Sequence, residues 1–283
     1  MSNQANPLSN HFRSPKLYIK LPSGTDLYSK DVIEFPDSGE LPIFPMTAKD
    51  EILLKNPDAL LNGEATIQLI KSCCPNVKQP LEVYAPDIDA ILVAINGASN
   101  NDNIEVKAPC PDCEEESEIT LSAEAILEMM GKLEKSYVVD IADNLQVELR
   151  PFTYRSTIKV GLASFQSSRS LQSLADLTDD LDKLKVFNEN FMRIAGANFE
   201  LLVDSVKSVI IKQDDEDIVV TDRKQILEFL ENCESSVGKK IEESSTEINS
   251  IGINKEATFQ CEKCDKTFES PVQFDPVNFF TAS

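Results

Sequence analysis

The side chains best equipped for chemistry are four cysteines: Cys110 and Cys113 in Ala-Pro-Cys-Pro-Asp-Cys, and Cys261 and Cys264 in Gln-Cys-Glu-Lys-Cys-Asp. Two thiols flanking a two-residue turn can face a single tetrahedral ion, and two such knuckles complete a four-thiolate shell. The expected chemistry is one structural zinc ion held by Cys110, Cys113, Cys261 and Cys264. Four thiolates close the shell and leave no position for a reacting water, so an open catalytic zinc is not expected.

Strands must aim these knuckles. Ile104-Glu105-Val106-Lys107 and Ala257-Thr258-Phe259-Gln260 alternate apolar and polar residues before each pair, and Glu118-Ile119-Thr120-Leu121 and Thr267-Phe268-Glu269 resume the alternation after it. Strand, knuckle, strand therefore occurs twice. Nearly 150 residues separate Cys113 from Cys261, where a compact zinc ribbon has roughly 15 to 20. Either a domain is inserted between the two halves of the site, or each pair binds metal across chains; insertion is the reading adopted.

The competing chemistry is thiol redox, in which the first cysteine of Cys-x-x-Cys sits at a helix N-terminus with a lowered pKa. No helical pattern follows either pair, and Asp112, Glu114, Glu115 and Glu116 would raise a thiol pKa by like-charge repulsion. A disulfide framework does not suit an odd seven cysteines in a chain long enough to build its own core. Cys73 and Cys74 read as half-buried thiols and Cys233 as a core residue.

Nothing else resembles an active site. His11 is the single histidine and lies in a Pro-rich stretch, and no phosphate loop or dinucleotide fingerprint occurs among nine glycines. The chain is expected to be no enzyme and to take no small-molecule substrate. Its formal charge of -21 sets it against nucleic-acid backbones, and Lys263 and Lys266 do not make a basic footprint. No stretch approaches the roughly 20 apolar residues of a membrane span, and the N-terminus does not read as a signal peptide. A soluble protein of a reducing cytoplasm is expected.

Ten of fifteen prolines fall in the first 86 residues, and none lies between Pro151 and Pro271. The expected fold class is α+β: a split four-cysteine, zinc-ribbon-like β unit with a largely helical insertion and a Pro-rich N-terminal segment. The expected division is an extended arm over 1–46, a mixed α/β domain over 47–121 and 251–283 carrying both knuckles, and a mostly helical inserted domain over 122–250 with one β-hairpin. The front segment either docks on its own domain or reaches for a partner.

Locally, Thr47 and Asp50 should open a short helix, with another over Glu64–Cys73 that turns Ile67 and Ile70 inward, and an apolar one over Ile88–Ile95 stopped by Gly97. Tyr137–Ile141 and Leu145–Leu149 should form the hairpin. A helix over Tyr154–Phe165 is followed by a Ser-rich break around Ser167–Ser173, then by a stripe of Leu174, Leu177, Leu181, Leu184, Phe187, Phe191 and Ile194 on one helix face. Helix is also expected through Leu202, Val206, Val209 and Ile210. Beyond a solvated acidic turn at Asp214–Asp217, Thr221 should cap another helix, with a weakly packed extension through Ile241 and Ile248. Phe279 and Phe280 need cover, either on the zinc domain's own surface or in a partner's groove.

Three stretches then suggest a family. Asn-Pro-Leu-Ser-Asn-His-Phe-Arg-Ser-Pro-Lys-Leu-Tyr-Ile-Lys-Leu-Pro, Gly39-Glu-Leu-Pro-Ile-Phe-Pro-Met-Thr-Ala-Lys-Asp-Glu51 and Pro57-Asp-Ala-Leu-Leu-Asn-Gly-Glu-Ala65 resemble the baseplate hub assembly proteins of T-even-type contractile-tailed phages. The Cys-Pro-Asp-Cys knuckle and the closing Phe-Asp-Pro-Val-Asn-Phe-Phe are similar to that family too. The resemblance implies a late phage protein, made in the host cytoplasm, that helps build the central hub, either as a chaperone or as a component of the virion tail baseplate. Its implied partners are other hub and tail proteins. The alternative is a zinc-ribbon transcription or replication accessory factor.

Overall fold

The structure is a computed structural model that describes residues 8–172, 180–214 and 216–272. Two short antiparallel strands, β1 (Leu17–Ile19) and β2 (Leu41–Ile43), are followed by helices α1 (Ala48–Leu54), α2 (Pro57–Leu61), α3 (Glu64–Cys73) and α4 (Ala85–Ser99). Of its two expected placements, the front segment takes the docked one: Ile19, Ile33, Leu41 and Ile43 are buried in one cluster with Leu69, Ile70 and Ile91. The Arg13 guanidinium fastens it to α3, donating to Pro45 O at 2.6 Å and Ser72 O at 2.8 Å. Thr47 and Asp50 open α1 as a reciprocal capping box. Ile67 is half-buried; Leu69 shares the inward face of α3 with Ile70. Cys73 and Cys74 are fully buried, not half-buried, and burial pushes their thiols up to about 11 and 12, which makes them inert.

The run Ala-Ile-Leu-Val-Ala-Ile makes α4 apolar on every side, and Ala90–Ile95 are all at most 1% exposed. One carboxylate is enclosed with them: Asp87 accepts hydrogen bonds from Ser23 N and Tyr28 OH, and burial raises its pKa to about 6. Gly97 does not stop the helix, which runs on to Ser99. A Cβ at Gly97 would lie 2.4 Å from the Ala123 Cβ, so the glycine permits close approach of the next helix rather than a chain reversal.

Beyond α4 come the hairpin β3 (Asn103–Pro109) and β4 (Glu116–Ser122), then α5 (Ala123–Glu128). Strands β5 (Tyr137–Ala142) and β6 (Leu145–Leu149) form the expected hairpin. The helices α6 (Tyr154–Gln172) and α7 (Asp180–Ser205) pack on one another as a helical hairpin. Then follow β7 (Val206–Ile211), β8 (Ile218–Val220), α8 (Arg223–Asn232), α9 (Ser235–Ser250) and a last hairpin, β9 (Glu256–Gln260) and β10 (Thr267–Pro271).

The region 122–250 departs from the helical expectation in several places. Val206–Ile211 is a strand, because Val-Lys-Ser-Val-Ile-Ile is β-branched and β6 offers it a ladder, giving an antiparallel sheet in the order β5-β6-β7-β8. Helix α6 continues through Ser167 with no break there. Asp222, not Thr221, caps α8 by accepting from Lys224 N and Gln225 N. Helix α9 is no loose extension: Ile241 and Ile248 are buried with Val147, Leu149, Val203 and Val206, and Cys233 lies half-buried at the rim. Most of the apolar stripe of α7 is in solvent, with Leu184, Phe187 and Phe191 at 57, 56 and 63% exposure, whereas Ile194 is half-buried on another side of the helix. Leu174, Leu177, Phe279 and Phe280 lie outside the described residues.

Candidate metal centre

Both hairpins that carry the cysteines rise from α4. The first follows it directly: Asp102, at φ 72°, turns the chain, and its carboxylate takes hydrogen bonds from Ser122 Oγ at 2.6 Å and Glu124 N at 2.8 Å, closing the base of β3–β4 against α5. The second is tied from the other end of the chain, where Lys255 reaches Asp89 on α4 at 2.6 Å and Val272 N donates to Lys255 O. Ile253 and Val272 complete an apolar layer with Ala90, Val93, Ile104 and Ala123. One helix thus sets the relative placement of two hairpins that are remote in sequence.

The knuckles share one backbone conformation. Cys110 N donates to Glu115 O at 2.8 Å and Glu114 N to Cys110 O at 2.9 Å; Cys261 N donates to Lys266 O and Asp265 N to Cys261 O, both at 2.9 Å. The residue after each second cysteine is left-handed, Glu114 at φ 59° and Asp265 at φ 57°. Neither is a glycine, so each costs on the order of 1–2 kcal/mol that the rest of the knuckle must offset.

All four sulfurs converge within 4.8 Å of one another, and this is the one group of His, Cys, Asp or Glu side chains suited to a metal ion among the described residues. Cys110 Sγ is 3.6 Å from Cys264 Sγ, and Cys113 Sγ is 3.5 Å from Cys261 Sγ and 3.7 Å from Cys264 Sγ. A tetrahedral zinc bonded at about 2.3 Å to each sulfur requires sulfurs about 3.8 Å apart. The shape and the donor set fit that ion. Cys110 and Cys261 are buried, Cys113 is half-buried and Cys264 is exposed, so the site sits at the rim of the molecule.

The electrostatics favour a cation. Amides of Cys264 and Lys263 donate to the Cys261 sulfur and hold its thiol down to about 6. The Lys266 amide would lower Cys264, yet local loss of hydration and the crowding of Cys261, Cys110 and Cys113 push it up to about 12. Sulfurs this close cannot all ionise without a positive charge between them, and a divalent ion would supply it. No helix starts at either pair, because β4 and β10 follow them.

Opposite charges join the two knuckles. Lys263 Nζ meets Glu115 at 2.8 Å and Lys266 Nζ meets Asp112 at 2.5 Å. The sequence reading treated the acids and the lysines separately; the signal was the contrast between Pro-Asp-Cys-Glu-Glu-Glu and Glu-Lys-Cys-Asp-Lys. Beneath them Phe259 and Phe268 stack at 5.5 Å as a cross-strand pair, and Phe259 is 1% exposed. His11 stands elsewhere, exposed in the turn Ser9–His11 of the front segment.

The fold and site define a mixed helix-and-sheet protein whose two remote cysteine hairpins close on one prospective metal position. A family model described as T4 bacteriophage base plate protein matches residues 20–281, nearly the whole chain, and the chain belongs to that family. No curated protein and no solved structure matches it.

Proposed function

We propose that this chain helps build the hub of a phage tail baseplate through protein–protein contacts, without catalysis, and that one zinc ion on Cys110, Cys113, Cys261 and Cys264 staples its β unit. Membership of the baseplate family carries the reading. The partners are other hub and tail proteins, met first in the host cytoplasm. A chain of charge -21 stays soluble before assembly and steers towards basic partner surfaces.

The zinc is structural in this reading. Sulfur donors on two separate hairpins gain a cross-link when metal binds, and that binding free energy becomes folding free energy of the β unit. The lysines that a nucleic-acid accessory role would use, Lys263 and Lys266, are engaged with Glu115 and Asp112, which favours the assembly role over the transcription or replication one.

Quantitative mass spectrometry of purified particles and matched infected-cell lysate, normalised to a tail protein, tests the role. A fixed, near-stoichiometric copy number in particles identifies a hub component; abundance in lysate with absence from particles identifies an assembly factor. Equal depletion from particles and from every tail intermediate would sink the baseplate reading. Native mass spectrometry of the purified chain should give one zinc per chain, and a stably folded, metal-free chain would remove the staple.

A further inference from the structure

Helix α7 has two apolar seams; α6 packs along it, and α8, α9 and β7 touch it as well. At 100° per residue, Val186, Asn190, Ile194 and Ala197 fall along one side, and all are buried or half-buried. Leu184, Phe187, Phe191 and Ala195 follow a second line about a third of the way round the helix, and all are exposed. A helix with two seams is built to stand in a bundle, yet α6 is the helix packed along its length.

The second seam is graded along the helix. Its N-terminal part carries Leu184 and Phe187, whereas towards the C-terminus it shrinks to Ala195 and Asn198 and opens into a recess of about 420 Å³ between α7 and α9. Ala195, Asn198, Phe199 and Leu202 line that recess together with Ser245 and Thr246. A second α7 laid antiparallel about a two-fold axis near Phe191 sets Leu184 over Asn198 and Phe187 over Ala195, so the large end of each helix lies over the small end of the other. This fit is self-complementary, as an isologous interface must be.

Charge also permits this contact. The described stretches 154–172 and 180–205 carry six basic residues (Arg155, Lys159, Arg169, Lys183, Lys185, Arg193) and five acidic ones (Asp180, Asp182, Glu189, Glu200, Asp204), in a chain of net charge -21. Two copies that meet through these near-balanced helices are not opposed there by a large local excess of negative charge.

We propose that the exposed seam of α7 is a homodimer interface, in which the α6–α7 hairpins of two copies form an antiparallel four-helix bundle. The proposal goes beyond the baseplate role and stands or falls independently of it, because its readout is the association of the pure protein.

Sedimentation of the full chain across the micromolar range, with Phe187→Glu and Phe191→Glu as separate variants, is the test. The expected result is a particle of twice the chain mass that each variant weakens on the order of 100-fold, since buried aromatic anchors dominate such interfaces. The thermal transition extrapolated to low concentration should not change, because both side chains are exposed in the single copy. As a milder variant, Ala195→Leu should fill the recess and weaken the dimer while leaving the chain folded. A chain that stays monomeric throughout the range overturns the proposal, whether or not another tail protein later proves to cover the seam. A dimer indifferent to all three changes overturns it as well.

Discussion

The body around α4 and the cysteine unit that rises from it enclose different things. Ala90–Ile95 are surrounded by Ile, Leu and Val side chains from the front segment, α3 and both hairpin bases. The cysteine unit buries Ala108, Cys110, Phe259, Cys261 and Phe268, so two of five enclosed side chains end in sulfur. Two-stranded hairpins are marginal on their own. The body rests on apolar area, whereas the proposed zinc would cross-link the hairpins of the β unit at one point. The same chain therefore has one region that heat and denaturant should open and another that a chelator should open.

The most damaging break is in the body. Ile91→Ala removes a fully buried side chain from α4 and should cost about 2–5 kcal/mol in a denaturant titration, with both regions unfolding together because α4 carries both hairpins. The converse break should stay local. Cys261→Ser, or chelation of the wild type, should abolish zinc retention and speed amide exchange in β3–β4 and β9–β10, while protection of α3 and α4 persists. Loss of protection throughout would show that the two regions are one.

A third measurement sharpens the body's side. Asp87 has its pKa raised from 3.8 to about 6 by burial, so the stability owed to its neutral form is complete below pH 3.8 and is lost as pH rises through about 6. At ~1.36 kcal/mol per unit the loss is about 3 kcal/mol. Asp87→Asn should remove that slope between pH 4 and 7, and an unchanged slope would assign it to other groups. Next comes a test of sign: in an open helix Gly→Ala stabilises by about 0.5–1 kcal/mol, but Gly97→Ala should destabilise by about 1–3 kcal/mol through the contact with Ala123. The smallest effect belongs to the knuckle surface. Lys266→Glu places a like charge beside Asp112 and should speed zinc loss to a competing chelator without unfolding the body.

Much of the β unit was legible in the residues. Alternation around each pair located all four strands of the two hairpins, and the Cys-x-x-Cys spacing marked the sulfurs that converge. The knuckle geometry was hidden because its left-handed residues are Glu114 and Asp265 instead of glycine. Gly97 misled in the opposite way: a glycine used for close packing looks the same in a sequence as one used to stop a helix. Val206–Ile211 carried both a helical spacing and a β-branched composition, and only the ladder to β6 decided between them.

Sequence alone determined the local matters, namely the cap at Thr47, the all-round apolar α4, the Tyr137–Leu149 hairpin and the two Cys-x-x-Cys turns. These depend on side chains within a turn or two of one another, where spacing is geometry. The tertiary structure decided that Cys110 and Cys264, 154 positions apart, stand 3.6 Å from each other. It also decided that most of the stripe of α7 faces solvent. Periodicity states which residues share a face, but what covers that face depends on where remote elements fall, and here α4 and α6 settled it.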